Sequence, residues 1–424
     1  MGKLIKLINV SDVNNNKFYN MVENGDGTWT AEYGRVGTNG LKKKYSMSDW
    51  DKKYREKTSG KRGKEGTYTD VTHLRTVKEV TTPSGKPADI LDIKDSKVKT
   101  FVQELQGYSN RSVQDNYIVT AQDVTQAQVD EAQRIIDNLV AKAILDAKTD
   151  PINADLLSLY QVIPRKMSNV KNHLISQSKL SSPNILQSLK DILGNEQMTL
   201  DVMAGQVTQI SSVNQAATSV TKLDILGALG LVIEFATPNE IAMIKKLMGS
   251  NSNQFYQAFK VTNLKTQKKF DNFISKRPKK NKALLFHGSR NENWWSILGS
   301  GLVLRPTNAI ITGKMFGMGT YFANKAQKSI GYSSYSGSYW AKGNASKAIL
   351  ALYDVHTGNQ FDVLKRGCQY PSHTSWMSQL TEPKLKAYGD YDCLFAHGGA
   401  DLRNDEIIVY NEDQSTVSYL IEIK

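Results

Sequence analysis

A chain of 424 residues, 40% of them apolar, is long enough for two to three domains and can bury sizeable cores, which excludes wholesale disorder. A net charge of +13 favours an acidic or polyanionic partner, although a soluble basic protein needs none. Only Cys368 and Cys393 are present, so a disulfide framework and a cysteine-rich zinc finger are both excluded, no metal is expected, and a reducing intracellular setting fits best.

The opening "MGKLIKLINVSD" lacks the apolar core and small-residue cleavage site of a signal peptide. The longest apolar run, residues 225–233, ends at Glu234 and is too short to cross a bilayer, so a soluble protein without membrane contact is expected.

Residues 1 to about 75 read as β-rich. Short aromatic and branched runs are separated by Asn-Gly-Asp-Gly and Thr-Asn-Gly, both hairpin signals. The charged stretch "SDWDKKYREKTSGKRGKE" then reads as a helix ending near Gly60, and "TTPSGKPAD" as a linker.

From about 93 to 220 the pattern is helical. In "VTQAQVDEAQRIIDNLVAKAILDA", Thr125 and Gln128 fit a capping box, and Val129, Ala132, Ile135, Ile136, Leu139, Ala143 and Ile144 share one face. Asp150-Pro151 stops that helix, and "INADLLSLYQVI" begins another that Pro164 halts. "KVKTFVQELQ" and "PNILQSLKDILG" add two more amphipathic stretches.

From about 221 onward, short apolar strands return in "ALLFHG", "AILALYDV", "DCLFAHG", "EIIVYN" and "VSYLIEI", interspersed with helices such as "PNEIAMIKKLM". Irregular gaps between the strands predict an α+β domain rather than a βαβ repeat. Within it, "GMGTYFA" looks like half of a dinucleotide fingerprint. Phe322 replaces its third glycine, and no downstream ribose-binding acid follows, so a dehydrogenase is disfavoured.

Several separated motifs in this C-terminal half occur in one order: "LLFHGSRNENWWSIL", "GLVL", "TGKMFGMGTYFANKAQKSIGYSS" and "NDEIIVYNEDQ". Together they resemble the catalytic domain of poly(ADP-ribose) polymerases. "VDEAQRIIDNLVAKA" and "LSLYQVIP" resemble that family's regulatory helical domain, and "YGRVGTNG" resembles a WGR domain with Tyr33 in place of the tryptophan. The resemblance covers nearly the whole chain. It implies a WGR-like domain over 1–80, a linker over 81–92, a helical regulatory domain over 93–220, and an α+β transferase domain over 221–424 with an antiparallel-rich split sheet.

The resemblance also implies function. It points to transfer of ADP-ribose from NAD, used as substrate without a metal, to protein acceptors including the enzyme itself. DNA strand breaks would stimulate the reaction and the helical domain would restrain it. The location would be the nucleus in a eukaryote, or cytoplasm or nucleoid in a bacterium or virus. His287, Tyr321 and Glu406 match the catalytic triad of this class. Gly288, Ser329 and Tyr332 match the nicotinamide grip, while Ser289 and Asn293 match positions near the pocket. Where the DNA-dependent branch commonly reads Leu-Arg, this chain has Leu302-Val303, and Arg305 is the nearest candidate for the adenosine side. Tyr33, Arg35, Lys42, Lys43 and Lys44 are the candidate DNA contacts, through stacking and phosphate pairing.

Taken singly, each residue has a plainer explanation. His287 reads as a turn histidine, Glu406 as a solvated strand-end acid, the tyrosines as packing aromatics, and the lysines as a solvated face. The ordered combination favours chemistry: cleavage of the nicotinamide–ribose bond through an oxocarbenium-like transition state that a carboxylate stabilises. Two alternatives stay open, a mono-ADP-ribosyltransferase of the same fold and a DNA-end-binding scaffold with weak catalysis.

Overall fold

The computed structural model describes residues 2–60, 68–72, 93–119, 121–145, 149–176, 185–219, 224–304, 314–365, 376–399 and 401–424, with backbone alone at 143–145, 149–151, 185–187 and 212–219. Arg305, a candidate donor contact, lies outside the described residues, as does Cys368. The chain divides into two compact units, Met1–Glu79 with Arg111–Val207 and Val80–Asn110 with Thr208–Lys424.

In the first unit, alternating apolar residues build an antiparallel meander. It comprises β1 (Leu4–Ser11), β2 (Asn15–Glu23), β3 (Thr28–Arg35), β4 (Leu41–Ser46) and the short β5 (Thr69–Asp70), in the order β4-β3-β2-β1-β5. The Asn-Gly-Asp-Gly turn joins β2 to β3 as its sequence predicts, with Gly25 and Gly27 at φ +80° and +76°. Helix α1 (Trp50–Thr58) stops just short of Gly60 and packs Trp50 edge-on against Trp29 at 5.4 Å, over Leu7 and Met21.

The helices that follow are α2 (Ser96–Asn116), α3 (Gln126–Leu145), α4 (Thr149–Val162) and α5 (Ile185–Ser219). The Thr125–Gln128 capping box forms: each backbone N–H donates to the other's side chain, at 3.1 and 3.2 Å. Pro151 falls inside the first turn of α4 rather than only ending α3, because a first-turn residue has no intrahelical N–H bond to lose. Arg165 and Glu196 form a buried ion pair at 3.2 Å, with the guanidinium over the Tyr117 ring.

Two helices outrun their sequence signals. α2 continues past "KVKTFVQELQ" because Val98, Phe101, Val102, Leu105, Ser109 and Val113 keep a buried stripe going. α5 runs 35 residues, and its buried face includes Glu196, Gln197, Gln206 and Gln209, polar residues that interrupt an apolar period. The boundary between the units falls within both helices.

The second unit adds α6 (Ile225–Leu229), β6 (Leu231–Phe235), α7 (Pro238–Met248), β7 (Phe255–Asn263), α8 (Leu264–Ser275), β8 (Lys282–Gly288) and α9 (Asn291–Ser300). It continues with β9 (Thr320–Phe322), α10 (Ala326–Ile330), β10 (Ala348–His356), β11 (Gln360–Val363), α11 (Glu382–Ala387), β12 (Cys393–Ala396), β13 (Glu406–Val409) and β14 (Ser415–Ile423). Among the described residues these strands form two sheets, β6-β7-β14-β10-β8 and β11-β12-β13-β9. Every pairing is antiparallel except β11 with β12. The chain is thus a multidomain α/β protein with an antiparallel-rich, split sheet in its C-terminal region.

The two sheets meet where β8 passes β9. Phe286 and Ala323 exchange backbone hydrogen bonds of 2.8 and 2.9 Å across that seam. One core runs behind it, joining Phe322, Ile407 and Val409 to Trp294, Trp295, Ile349 and Leu420. Residues 93–105 belong to this same core: Phe101 stacks on Phe259 of β7 at 4.0 Å, and Lys347 bridges Glu104 and the fully buried Glu422 at 2.5 Å each.

The first half of α2 is therefore interior to the C-terminal unit. Phe101→Ala is expected to cost about 3–5 kcal/mol, read as a lowered urea midpoint for that unit's unfolding.

Candidate active site

Most of the candidate site residues gather around the seam. His287 and Gly288 end β8, immediately after the bridging Phe286, and Tyr321 lies two residues before the bridging Ala323. Tyr321 is paired with Ile408, so on the neighbouring strand β13 it shares a face with Glu406. α10 then carries Ser329 beneath Gly288, and Tyr332 follows its end.

Gly288 has no room for a side chain. A Cβ there would sit 2.0 Å from the Ser329 carbonyl oxygen, so the backbones of β8 and α10 touch directly. Ser329 is 3% exposed, and its hydroxyl has no partner among the described residues. Ser289 and Asn293 bond each other, Asn293 Nδ2 donating to Ser289 Oγ at 2.9 Å, and close the first turn of α9 beside this wall.

The Gly-Met-Gly segment is a forced close approach. Gly317 has φ +77°, and a Cβ on it would lie 2.4 Å from the Leu380 carbonyl oxygen. At Gly319 a Cβ would lie 2.3 Å from Ile408 Cγ2 on β13. The turn thereby presses the chain onto the second sheet and delivers Tyr321 into β9. The Tyr321 hydroxyl accepts from the Phe316 N–H at 3.0 Å and donates to the Gly317 carbonyl at 3.2 Å, which fixes the ring's position.

His287 is half-buried, ringed by Trp294, Phe322 and Tyr353 with centroids 5.6–6.2 Å away. Its Nδ1 lies 2.9 Å from the Tyr321 carbonyl oxygen, which can only accept. Nδ1 therefore carries the proton, and Nε2 keeps a lone pair for a ligand hydroxyl. Burial pushes the imidazole down to about 4, with the charge of Lys314 acting in the same direction against the pull of the Tyr321 carbonyl. Burial likewise raises the Tyr332 phenol to about 12 and the Tyr321 phenol higher still, and the Glu406 charge adds to both.

Glu406 is 6% exposed, not a solvated strand-end acid. Its Oε1 meets Lys328 Nζ at 2.5 Å, and both side chains are largely buried. Lys328 went unremarked in the sequence, although it immediately precedes Ser329 and stands four residues before Tyr332, one helical turn. Two further groups were also missed. Lys314 lies 5.0 Å over the Tyr321 ring, and Trp340 stacks on Tyr332 at 6.0 Å. Val303, where the family's DNA-dependent branch commonly has arginine, is 46% exposed.

A family model for the poly(ADP-ribose) polymerase catalytic domain matches residues 238–424. The protein named "Putative poly(ADP-ribose) polymerase-like 100L" of Invertebrate iridescent virus 6 is 31% identical over 177 residues, 40% of this chain and 87% of that protein. The chain belongs to the poly(ADP-ribose) polymerase family. It is an NAD-dependent ADP-ribosyltransferase, and NAD is its substrate. Uncharacterized protein 101L of the same virus is 31% identical over 215 residues, 51% of this chain and 82% of that protein. Poly(ADP-ribose) polymerase 2 of Homo sapiens is 32% identical over 163 residues, 34% of this chain but only 27% of that protein. Among the described residues, no cluster of metal-ligating side chains occurs and no helix is long and apolar enough to cross a membrane.

The candidate DNA contacts lie apart from these residues in sequence, on β3 and β4 of the first unit. Tyr33 stacks on Tyr19 at 5.6 Å. The Arg35 guanidinium donates to the Asn14 carbonyl and side chain and to the Ser168 carbonyl, at 2.9–3.2 Å. Lys42 and Lys44 make exposed pairs with Glu32 and Asp26, and Lys43 lies over Tyr45.

One measurement checks the histidine assignment. In an NMR titration the His287 ring should stay neutral at pH 7, with a midpoint near 4. The unfolded ring, with its ordinary value of 6.5, binds more protons between those two values. This residue's contribution to stability is therefore fully present above pH 6.5 and is lost as pH falls toward 4.

Proposed function

We propose that this enzyme transfers ADP-ribose from NAD to protein acceptors, itself included, that it extends the product into chains, and that DNA strand breaks stimulate it. The observation that carries this reading is the convergence of Gly288, Ser329, Tyr321 and Tyr332 beside the buried Glu406. In this reading the Gly288 backbone and the Ser329 hydroxyl hold the nicotinamide carboxamide, and the two tyrosine rings bracket the nicotinamide plane. The His287 Nε2 accepts a hydrogen bond from the adenosine ribose. Glu406 binds the nicotinamide-side ribose and stabilises the positive charge that develops as the glycosidic bond breaks. Lys328 fixes the direction of that carboxylate.

In this reading residues 1–80 are a WGR-like, DNA-binding domain, 93–220 a helical regulatory segment and 221–424 the transferase. Exposed pairs such as Lys44 with Asp26 are screened by solvent and weak, so these lysines exchange readily onto phosphates. Arg35 is held by Asn14 and Ser168, which supports a role in joining the strand-rich and helical parts of its unit as much as in direct contact with DNA.

Labelled NAD incubated with and without nicked DNA tests the reading. Nicked DNA should raise the transfer rate, and denaturing gels should show a high-mass smear. A discrete modified band would favour mono-ADP-ribosylation. Glu406→Gln should lower transfer by at least about 100-fold while sparing DNA affinity; transfer at the parent rate would remove Glu406 from the chemistry.

Restraint by the helical segment needs a gentler test than deletion, since residues 96–110 belong to the C-terminal core. Arg165→Met leaves Glu196 buried without its partner, at a cost of about 3–5 kcal/mol. DNA-free turnover should then rise toward the DNA-stimulated rate.

A further inference from the structure

Lys314 is a half-buried cation beside the seam with no acidic partner among the described residues. Its Nζ donates to the Gly319 carbonyl at 3.0 Å and stands 5.0 Å over the Tyr321 ring. Among the described residues it joins no ion pair, and the preceding stretch 305–313, "RPTNAIITG", contains no Asp or Glu. A carbonyl and a ring face use part of an ammonium's capacity and leave donors unspent. Desolvation lowers the lysine to about 8, so at pH 7 the charge is kept by about ten to one. A desolvated cation without a counter-charge is a standing cost that an anionic ligand removes.

Its position indicates which anion. On the reading proposed above, the Tyr321 ring marks the nicotinamide end of the donor and His287 the adenosine ribose. Lys314 touches the first and is close enough to the second for its charge to oppose protonation of the imidazole. The part of NAD that links those two ends is its diphosphate. We infer that Lys314 is the residue of this chain that binds the diphosphate of NAD, through the ammonium donors left free by Gly319. The ammonium is anchored by a closely packed turn: Gly317 meets the Leu380 backbone and Gly319 meets β13, each too closely for any side chain. Lysine serves here as a point charge, matching a flexible diphosphate rather than a planar carboxylate.

The inference rests on the donor-site reading, and ligand inhibition separates the two. For the parent enzyme, nicotinamide and ADP-ribose are each measured as inhibitors of NAD turnover, and their binding is measured by calorimetry. Lys314→Met should weaken ADP-ribose about 10- to 100-fold and raise the KM for NAD similarly, while nicotinamide affinity and kcat change little. Lys314→Arg should restore most of the ADP-ribose affinity. Unchanged ADP-ribose affinity in Lys314→Met overturns the inference. Equal loss of nicotinamide and ADP-ribose, with no rescue by arginine, also overturns it, because the lysine would then be shaping the pocket. If nicotinamide fails to inhibit the parent enzyme, the donor-site reading fails instead.

Discussion

Two backbone hydrogen bonds between Phe286 and Ala323 join the sheets of the C-terminal unit, and the arrangement of its site depends on them. Each partner carries candidate residues in the adjoining positions. His287 and Gly288 follow Phe286, and Tyr321 precedes Ala323 by two. Glu406 is then placed by the pairing of β13 with β9, and Ser329 by the contact between Gly288 and α10. A small error in that seam would misplace every one of these groups together. The glycines enforce it sterically: Gly288, Gly317 and Gly319 each occupy a contact that a methyl group would break.

The electrostatics of the cleft follow from this enclosure. A neutral histidine, two phenols held firmly protonated, and a carboxylate paired to Lys328 give a site with one buried, oriented negative charge. One buried, paired carboxylate suits the stabilisation of a developing positive charge, the role proposed above for Glu406. Lys314 stands at the opposite extreme, a positive charge that joins no ion pair among the described residues. The two lysines thus differ in their partners: Lys328 pairs with the Glu406 carboxylate, whereas Lys314 meets a carbonyl and a ring face.

Much of this was legible in the sequence, and the exceptions have physical causes. The hairpin turns and the Thr125–Gln128 cap rest on local chemistry that short windows reveal. The family motifs around His287, Tyr321 and Glu406 carry enough specific residues to be read together. The lengths of α2 and α5 were hidden, because α5 buries Glu196, Gln197, Gln206 and Gln209 where a periodicity test expects apolar side chains. That α2 belongs partly to the C-terminal core was equally hidden, since Phe101 meets Phe259 and Glu104 meets Lys347 only after long-range folding. Lys328 and Glu406 lie 78 positions apart, and Lys314 looks like an ordinary surface lysine until its surroundings are known.

On the proposed function, the wall built from Gly288, Ser329, Tyr321 and Tyr332 holds the leaving group of NAD. A crystal structure of the enzyme with nicotinamide bound tests it most directly. The carboxamide is expected against the Gly288 backbone and the Ser329 hydroxyl, with the ring parallel to Tyr332 and the Glu406 carboxylate nearby. Nicotinamide bound away from the β8–β9 seam, or with its carboxamide turned from Gly288, would contradict it.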